Sequence, residues 1–367
     1  MESPRFIESL AVALFIALSG CIDDEDLKAP FNIAAADLHD GWDISNPTAE
    51  GFDDARFRLA VSSWFDEDKY ITAIGLVVVR NNKLVAEAYA RDVNDRTQKR
   101  QIQSIAKCIT SLVFGIARDM GYFNNLDQRL YDIVPEAFDA DARKRTITLR
   151  HLLTMNSGLS FNNKDFADEL FMDNQKNVMA HILAKPLFAS PGQIYDYRDC
   201  DPQLLSGAVH RQSGMTLDEI AASRLFGRMG ISDYYWERNA DGDSWAPSAL
   251  FMRARDLAKI GQLVLDGGRW NNEQLISRDW ITQSTSIQSN PNPNQADSSG
   301  FTFGYYWRLQ PMRTAIEANG AGGQQISIIP QKNLVIVFTC EPYVAGDYSL
   351  ASDNYRIAQA IVSSIIM

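Results

Sequence analysis

Histidine and cysteine are scarce, with four of each in 367 residues. His39, His151, His181 and His210 fall at no paired spacing, and neither CxxC nor HExxH occurs, so a zinc centre has no ligand set to build on. Setting Cys21 aside leaves Cys108, Cys200 and Cys340, an odd number that excludes a full disulfide framework and leaves one bridge open. Basic runs are also missing. A formal net charge of −11 argues against nucleic acid or an anionic membrane surface as the main partner, because both need a basic face. There is no internal repeat.

What remains is the composition of an ordinary globular protein, 46% hydrophobic and 22% charged with seven Trp, enough for a large core. The N-terminus is a separate matter. An apolar stretch at 10–18, too short to span a bilayer, runs into Leu18-Ser19-Gly20-Cys21, which resembles the lipobox of bacterial lipoproteins. That resemblance implies a signal peptide over 1–21, a lipid anchor on Cys21 and a place in the bacterial cell envelope. Residues 22–50, rich in Asp, Ala and Pro, then read as a tether. The alternative is a cytoplasmic protein with a buried N-terminal helix, which Glu2 and Glu8 favour over the usual positive flank.

Residues 73–90, AIGLVVVRNNKLVAEAYA, read as a hairpin across an Asn-Asn turn. Helical spacing runs over 104–120, 149–155, 202–211, 217–226 and 254–265, the last stopped by Gly267-Gly268. Residues 325–329 and 333–339 read as strands across Pro330-Gln331-Lys332, and 355–366 as an amphipathic helix. Strands therefore lie at both chain ends and helices between them. The expected fold is α+β: an antiparallel sheet from about 51–100 and 301–367, with a mainly helical insertion at about 101–300. The loop at 289–300 is a candidate rim or lid.

One short stretch, QIQSIAKCITSLVFGIA at 101–117, places Ser104 and Lys107 three apart at the start of a buried helix. One turn apart on a common face, hydroxyl and amine are neighbours. A serine hydroxyl needs a base in contact, and a partly desolvated lysine supplies one. The helix N-terminus adds a field that favours negative charge on an attacked carbonyl oxygen.

The segments around it, YDIVPE, ITLRHLLTMNSGLS, PGQIYDYRDCD, RDLAKIGQLVLDGGRW and GAGGQ, follow in the order of the serine β-lactamase and penicillin-binding-protein superfamily. The chain is most similar to its class C-type branch, which includes esterases and 6-aminohexanoate-dimer hydrolases. The resemblance covers roughly residues 70–365. It implies that Ser104 is acylated, that Lys107 is its proton partner, and that Tyr197, spaced from Pro191-Gly192, relays protons with it. Tyr195 is the rival position. Asp199 stands where the family has asparagine, and a carboxylate there raises the lysine pKa. The family's third motif maps onto Asn319 and Gly320 and carries no cation; with the amides of Ser104 and Ala321 it implies an oxyanion hole. Lacking the cation that holds a substrate carboxylate, the site points away from β-lactams.

The resemblance thus implies a serine hydrolase acting on a small-molecule ester or amide, with no cofactor or metal. The rivals are a β-lactamase or D-amino-acid peptidase, and a catalytically inactive envelope binding protein. His151 reads as packing, and Trp236, Trp245 and Trp307 as core or pocket wall.

Overall fold

The computed structural model describes residues 32–65, 72–90, 93–163, 176–289, 301–310, 314–342 and 350–366. Chain contacts separate Met1–Asn32 from Ile33–Met367, and the fold is that of the second unit. The lipobox with Cys21, and nearly all of the loop at 289–300, lie outside the described residues.

The strands are β1 (Asp43–Ile44), β2 (Ala73–Arg80), β3 (Lys83–Tyr89), β4 (Arg100–Gln101), β5 (Tyr235–Trp236), β6 (Leu250–Met252), β7 (Arg269–Trp270), β8 (Glu273–Gln274), β9 (Thr302–Phe303), β10 (Arg308–Gln310), β11 (Ala315–Gly320), β12 (Gln324–Ile329) and β13 (Leu334–Cys340). The helices are α1 (Asp54–Ser62), α2 (Ile105–Asp119), α3 (Leu149–Leu153), α4 (Val178–Ala184), α5 (Cys200–Ser213), α6 (Leu217–Ala221), α7 (Ala254–Leu265), α8 (Arg278–Ser284) and α9 (Leu350–Ser363). Among the described residues the main sheet runs β1-β3-β2-β13-β12-β11-β10-β9, antiparallel except where β1 joins β3. Both chain ends build it, as the α+β reading expects.

The hairpin forms where the sequence places it, with Asn81 and Asn82 both at positive φ, as a two-residue turn of that twist requires. Every residue of β2 and β13 is buried, which explains their unbroken β-branched runs. Helices cover both faces. α7 packs on β2, β12 and β13, with Val335 against Gly261, while Trp64 beyond α1 packs on Phe338 of the opposite face. Between the sheet-forming ends, α2 is enclosed by α5, α6 and α8. That enclosure is why its apolar residues run almost all round.

The tether reading needs correction from residue 33 onward. Ile33 and Trp42 are buried, Ala34 bridges Ala86, and β1 pairs with Lys83 and Leu84 of β3. The arm is part of the domain, held by two apolar anchors and the charges around Arg255. The terminal helix also differs from its expected span, ending at Ser363 because Ile365 leaves it to bridge Phe52.

Candidate active site

The site starts at a backbone kink. Gln103 has φ +52, uncommon for a residue with a side chain, and it turns the chain from β4 into α2 with Ser104 at the N-cap. Ser104 makes no side-chain capping bond, so its hydroxyl is not spent on the helix. Lys107 Nζ donates to Ser104 Oγ at 2.7 Å. The S-x-x-K spacing therefore produces the contact that a one-turn separation expects.

Lys107 is 2% exposed; its Nζ also donates to Pro247 O at 2.9 Å and forms an ion pair with Asp199 Oδ1 at 2.8 Å. Nζ also lies 4.9 Å from the centre of the Tyr197 ring. Burial pulls the lysine pKa down, but the Asp199 carboxylate and Tyr197 outweigh it and hold the amine above its ordinary value. At neutral pH Lys107 is therefore an ammonium, and Asp199 has the electrostatic effect expected of a carboxylate at that position.

Tyr197 and Asp199 precede α5 and are fixed through their backbone. Asn163 Nδ2 donates to Tyr197 O at 3.1 Å, and Asp199 N donates to Asn163 Oδ1 at 2.9 Å. Tyr195 instead stacks on Phe303 at 5.2 Å, so Tyr197 is the tyrosine beside Lys107. At 38% exposed, the Tyr197 ring borders both the buried lysine and open solvent.

The third motif comes up against the first. A Cβ on Gly320, at the end of β11, would lie 2.5 Å from Ile102 O and 2.9 Å from the Gln103 Cβ. Only glycine permits that approach. Asn319 precedes it on the strand, and the exposed Ala321 begins a single turn, Ala321–Gly323. The strand end that carries Asn319, Gly320 and Ala321 thus abuts the two residues before Ser104, whose amide sits at the helix start where no intrahelical acceptor exists.

Cys108, Cys200 and Cys340 are free, buried thiols, and burial pushes the pKa of each up, so none has thiolate character. His151 Nδ1 accepts from Thr148 N while Thr148 Oγ1 accepts from His151 N, a reciprocal cap on α3 consistent with a packing role. Trp236, Trp245 and Trp307 are buried in the main core. Sequence reasoning missed Pro247 and Asn163. The first acts through a backbone carbonyl 140 residues from Lys107, which leaves no residue-type signal; the second has no spacing that marks it.

A family model described as Beta-lactamase matches residues 61–360. The 6-aminohexanoate-dimer hydrolase of Paenarthrobacter ureafaciens is 23% identical over 152 residues, 39% of this chain and 38% of that protein. Among solved structures, a Bacillus anthracis protein described provisionally as a 6-aminohexanoate-dimer hydrolase superposes with TM-score 0.71 at 19% identity, covering 93% of this chain and 90% of its own. A family VIII carboxylesterase superposes with TM-score 0.66 at 16% identity, covering 84% and 97%. At these identities the structural likenesses establish the fold.

Proposed function

Because the chain belongs to the beta-lactamase family, we propose that it is a serine hydrolase cleaving a small-molecule ester or amide through an acyl-enzyme on Ser104. The observation that carries this reading is the 2.7 Å contact between Ser104 Oγ and an almost fully buried Lys107. In the reaction, Ser104 Oγ attacks the carbonyl carbon and its proton passes to Lys107 of the Lys107–Tyr197 cluster in its free-amine form, which is the minor form at neutral pH. The same cluster returns a proton to the leaving group. Water then attacks the acyl-enzyme and restores the serine. The oxyanion rests on the amides of Ser104 and Ala321, beside Gly320. No step calls for a cofactor.

Two features favour neutral acyl donors over substrates bearing a carboxylate. Asn319 offers no cation, and Asp199 balances the charge of Lys107. Both a 6-aminohexanoate-dimer hydrolase and a carboxylesterase stand among the similar proteins, so amide and ester are both within the proposal. Export and lipid attachment at Cys21 belong to it as well.

The test is intact-mass spectrometry and peptide mapping after exposure to a fluorophosphonate, beside a panel of p-nitrophenyl esters and anilides. A single adduct on Ser104 with ester or anilide turnover is expected. A folded chain that takes no adduct would return the protein to the binding-protein reading.

Asp199→Asn supplies a second check. Removing the carboxylate leaves burial to pull the Lys107 pKa down, so the rising limb of the pH–rate profile moves to lower pH and neutral-pH turnover increases. The relative rate on anionic esters rises too. A limb that stays in place would show that Asp199 does not govern the lysine.

A further inference from the structure

Two residues beyond Asp199 lies a second carboxylate, Asp201, which the reaction scheme does not use. It has 0% exposure in the first turn of α5. Ser157 N donates to Asp201 Oδ2 at 3.4 Å, the Ser157 hydroxyl also bonds this carboxyl, and Cys200 Sγ donates to Oδ1 at 3.5 Å. Ser157 lies in the loop after α3, and that loop holds the segment leading into Tyr197 by three backbone bonds. Asp196 N donates to Met155 O at 3.0 Å, Gly192 N to Asn156 O at 2.8 Å, and Phe188 N to Gly158 O at 2.9 Å.

The two segments are in van der Waals contact along this seam. Gly158 has φ +77, and a Cβ there would lie 2.3 Å from Ala189 O, so the loop has no room to shift toward its neighbour. Its other attachment is Ser157 to Asp201. Tyr197 is thus set by a chain of contacts that runs from a buried carboxylate through one loop to the residue just before the tyrosine.

We infer that Asp201 is a positioning residue for Tyr197, acting through the Ser157 loop, and that its protonation state sets how firmly the tyrosine is held. This rests on the proposed hydrolase reading. Ionised, Asp201 accepts from both the amide and the hydroxyl of Ser157 with full charge; protonated, it holds them by weaker neutral bonds. Burial pushes this carboxyl up to about 7, against the opposing pull of Ser157, Cys200 and Arg198. The groups facing it are Ser157 from the loop, Cys200 and Arg198 from its own segment, and Tyr306 from the turn before β10. The Tyr306 pKa is raised by burial and by Asp201, so that phenol stays neutral, and its hydroxyl donates to Leu152 O at 3.0 Å. Arg198 is the charged partner in the set, while His151, packed against Gly192, titrates below its ordinary value because it is buried.

The sign follows from the ionised form being the firmer holder. Activity falls as pH drops through about 7 and the carboxylate takes up a proton. Asparagine at 201 can still accept from Ser157 N but cannot titrate.

The experiment measures the rate of fluorophosphonate labelling at Ser104, and kcat and KM for a p-nitrophenyl ester, from pH 5.5 to 9, on the full chain and on Asp201→Asn and Ser157→Ala. Wild type is expected to show an inflection in kcat near pH 7 that Asp201→Asn lacks, with KM little changed. Ser157→Ala removes one of the bonds that favour the ionised carboxyl and moves the inflection to higher pH. An inflection that persists unchanged in Asp201→Asn overturns the inference while leaving the hydrolase reading intact. No labelling of wild-type Ser104 overturns that reading itself. If Asp201→Asn fails to fold, the shift or constancy of the Ser157→Ala inflection decides the matter.

Discussion

Lys107→Ala is expected to lose about 10³-fold or more in ester turnover, as much as Ser104→Ala, and the double variant no more than either alone. The two side chains act as one unit: the hydroxyl has little nucleophilicity without its partner, and the amine has no chemistry without the serine. Their contact at 2.7 Å is the geometric basis for that coupling. Alanine at 107 also strips Asp199 of its counter-charge and Pro247 O of its donor, so a fall in stability accompanies the chemical loss. Pairing Lys107→Ala with Asp199→Asn removes the unpaired charge without restoring the amine. If turnover stays low in that pair while the melting temperature recovers, the lysine is a chemical partner. Recovery of turnover, or a single Lys107→Ala variant that keeps a tenth of wild-type activity, would remove Lys107 from the mechanism.

The contact between Ser104 and Lys107 was legible because helical periodicity fixes what lies one turn apart, and α2 forms where the apolar run places it. The hairpin at Asn81-Asn82 and the strands either side of Pro330-Gln331-Lys332 were legible for the same kind of reason, local turn chemistry between β-branched runs. Position in the motif order also gave the neighbourhood of Asp199 and Tyr197, and the effect of a carboxylate beside the lysine followed from charge alone. Other features depend on contacts remote in sequence. Nothing in the residue types near Pro247 says that its carbonyl meets Lys107. β9 and β10 are short, and the mixed polar and apolar residues of β11 hide the alternation that marks a half-buried strand. The arm from residue 33 onward reads as a linker because it is rich in Asp, Ala and Pro, while what holds it, the burial of Ile33 and Trp42 and the charges around Arg255, depends on partners remote in sequence.

That arm yields the second large effect: Arg255→Ala is expected to destabilise the domain by about 3–5 kcal/mol, the usual cost of breaking a buried ion pair from one side. Arg255, at the start of α7, has a fully buried side chain. Its guanidinium grips Asp40 through two bonds at 2.8 and 2.7 Å, donates to Ala36 O at 3.1 Å, and reaches Glu87 Oε1 at 2.9 Å. Glu87, equally buried in β3, also accepts from Ala36 N and the Tyr89 hydroxyl and pairs with Arg96. One arginine thus joins the N-terminal arm, the sheet and α7. Burial pushes the Asp40 carboxyl up, but Arg255 outweighs it and the net pKa lies below the ordinary value. Its contribution to stability is therefore present above the unfolded pKa and is lost as pH falls through the folded one. In Arg255→Ala, Glu87 keeps only Arg96 as a charged partner and Asp40 loses its fork, so the arm is the first part to open. Thermal melts should drop by several degrees, and limited proteolysis should cut within residues 33–50 before it touches the rest. Arg255→Lys, with a point charge in place of the planar fork, should recover part of the stability. An unchanged melt in Arg255→Ala, with the arm still protected, would mean that Ile33, Trp42 and the β1–β3 pairing hold it without the arginine.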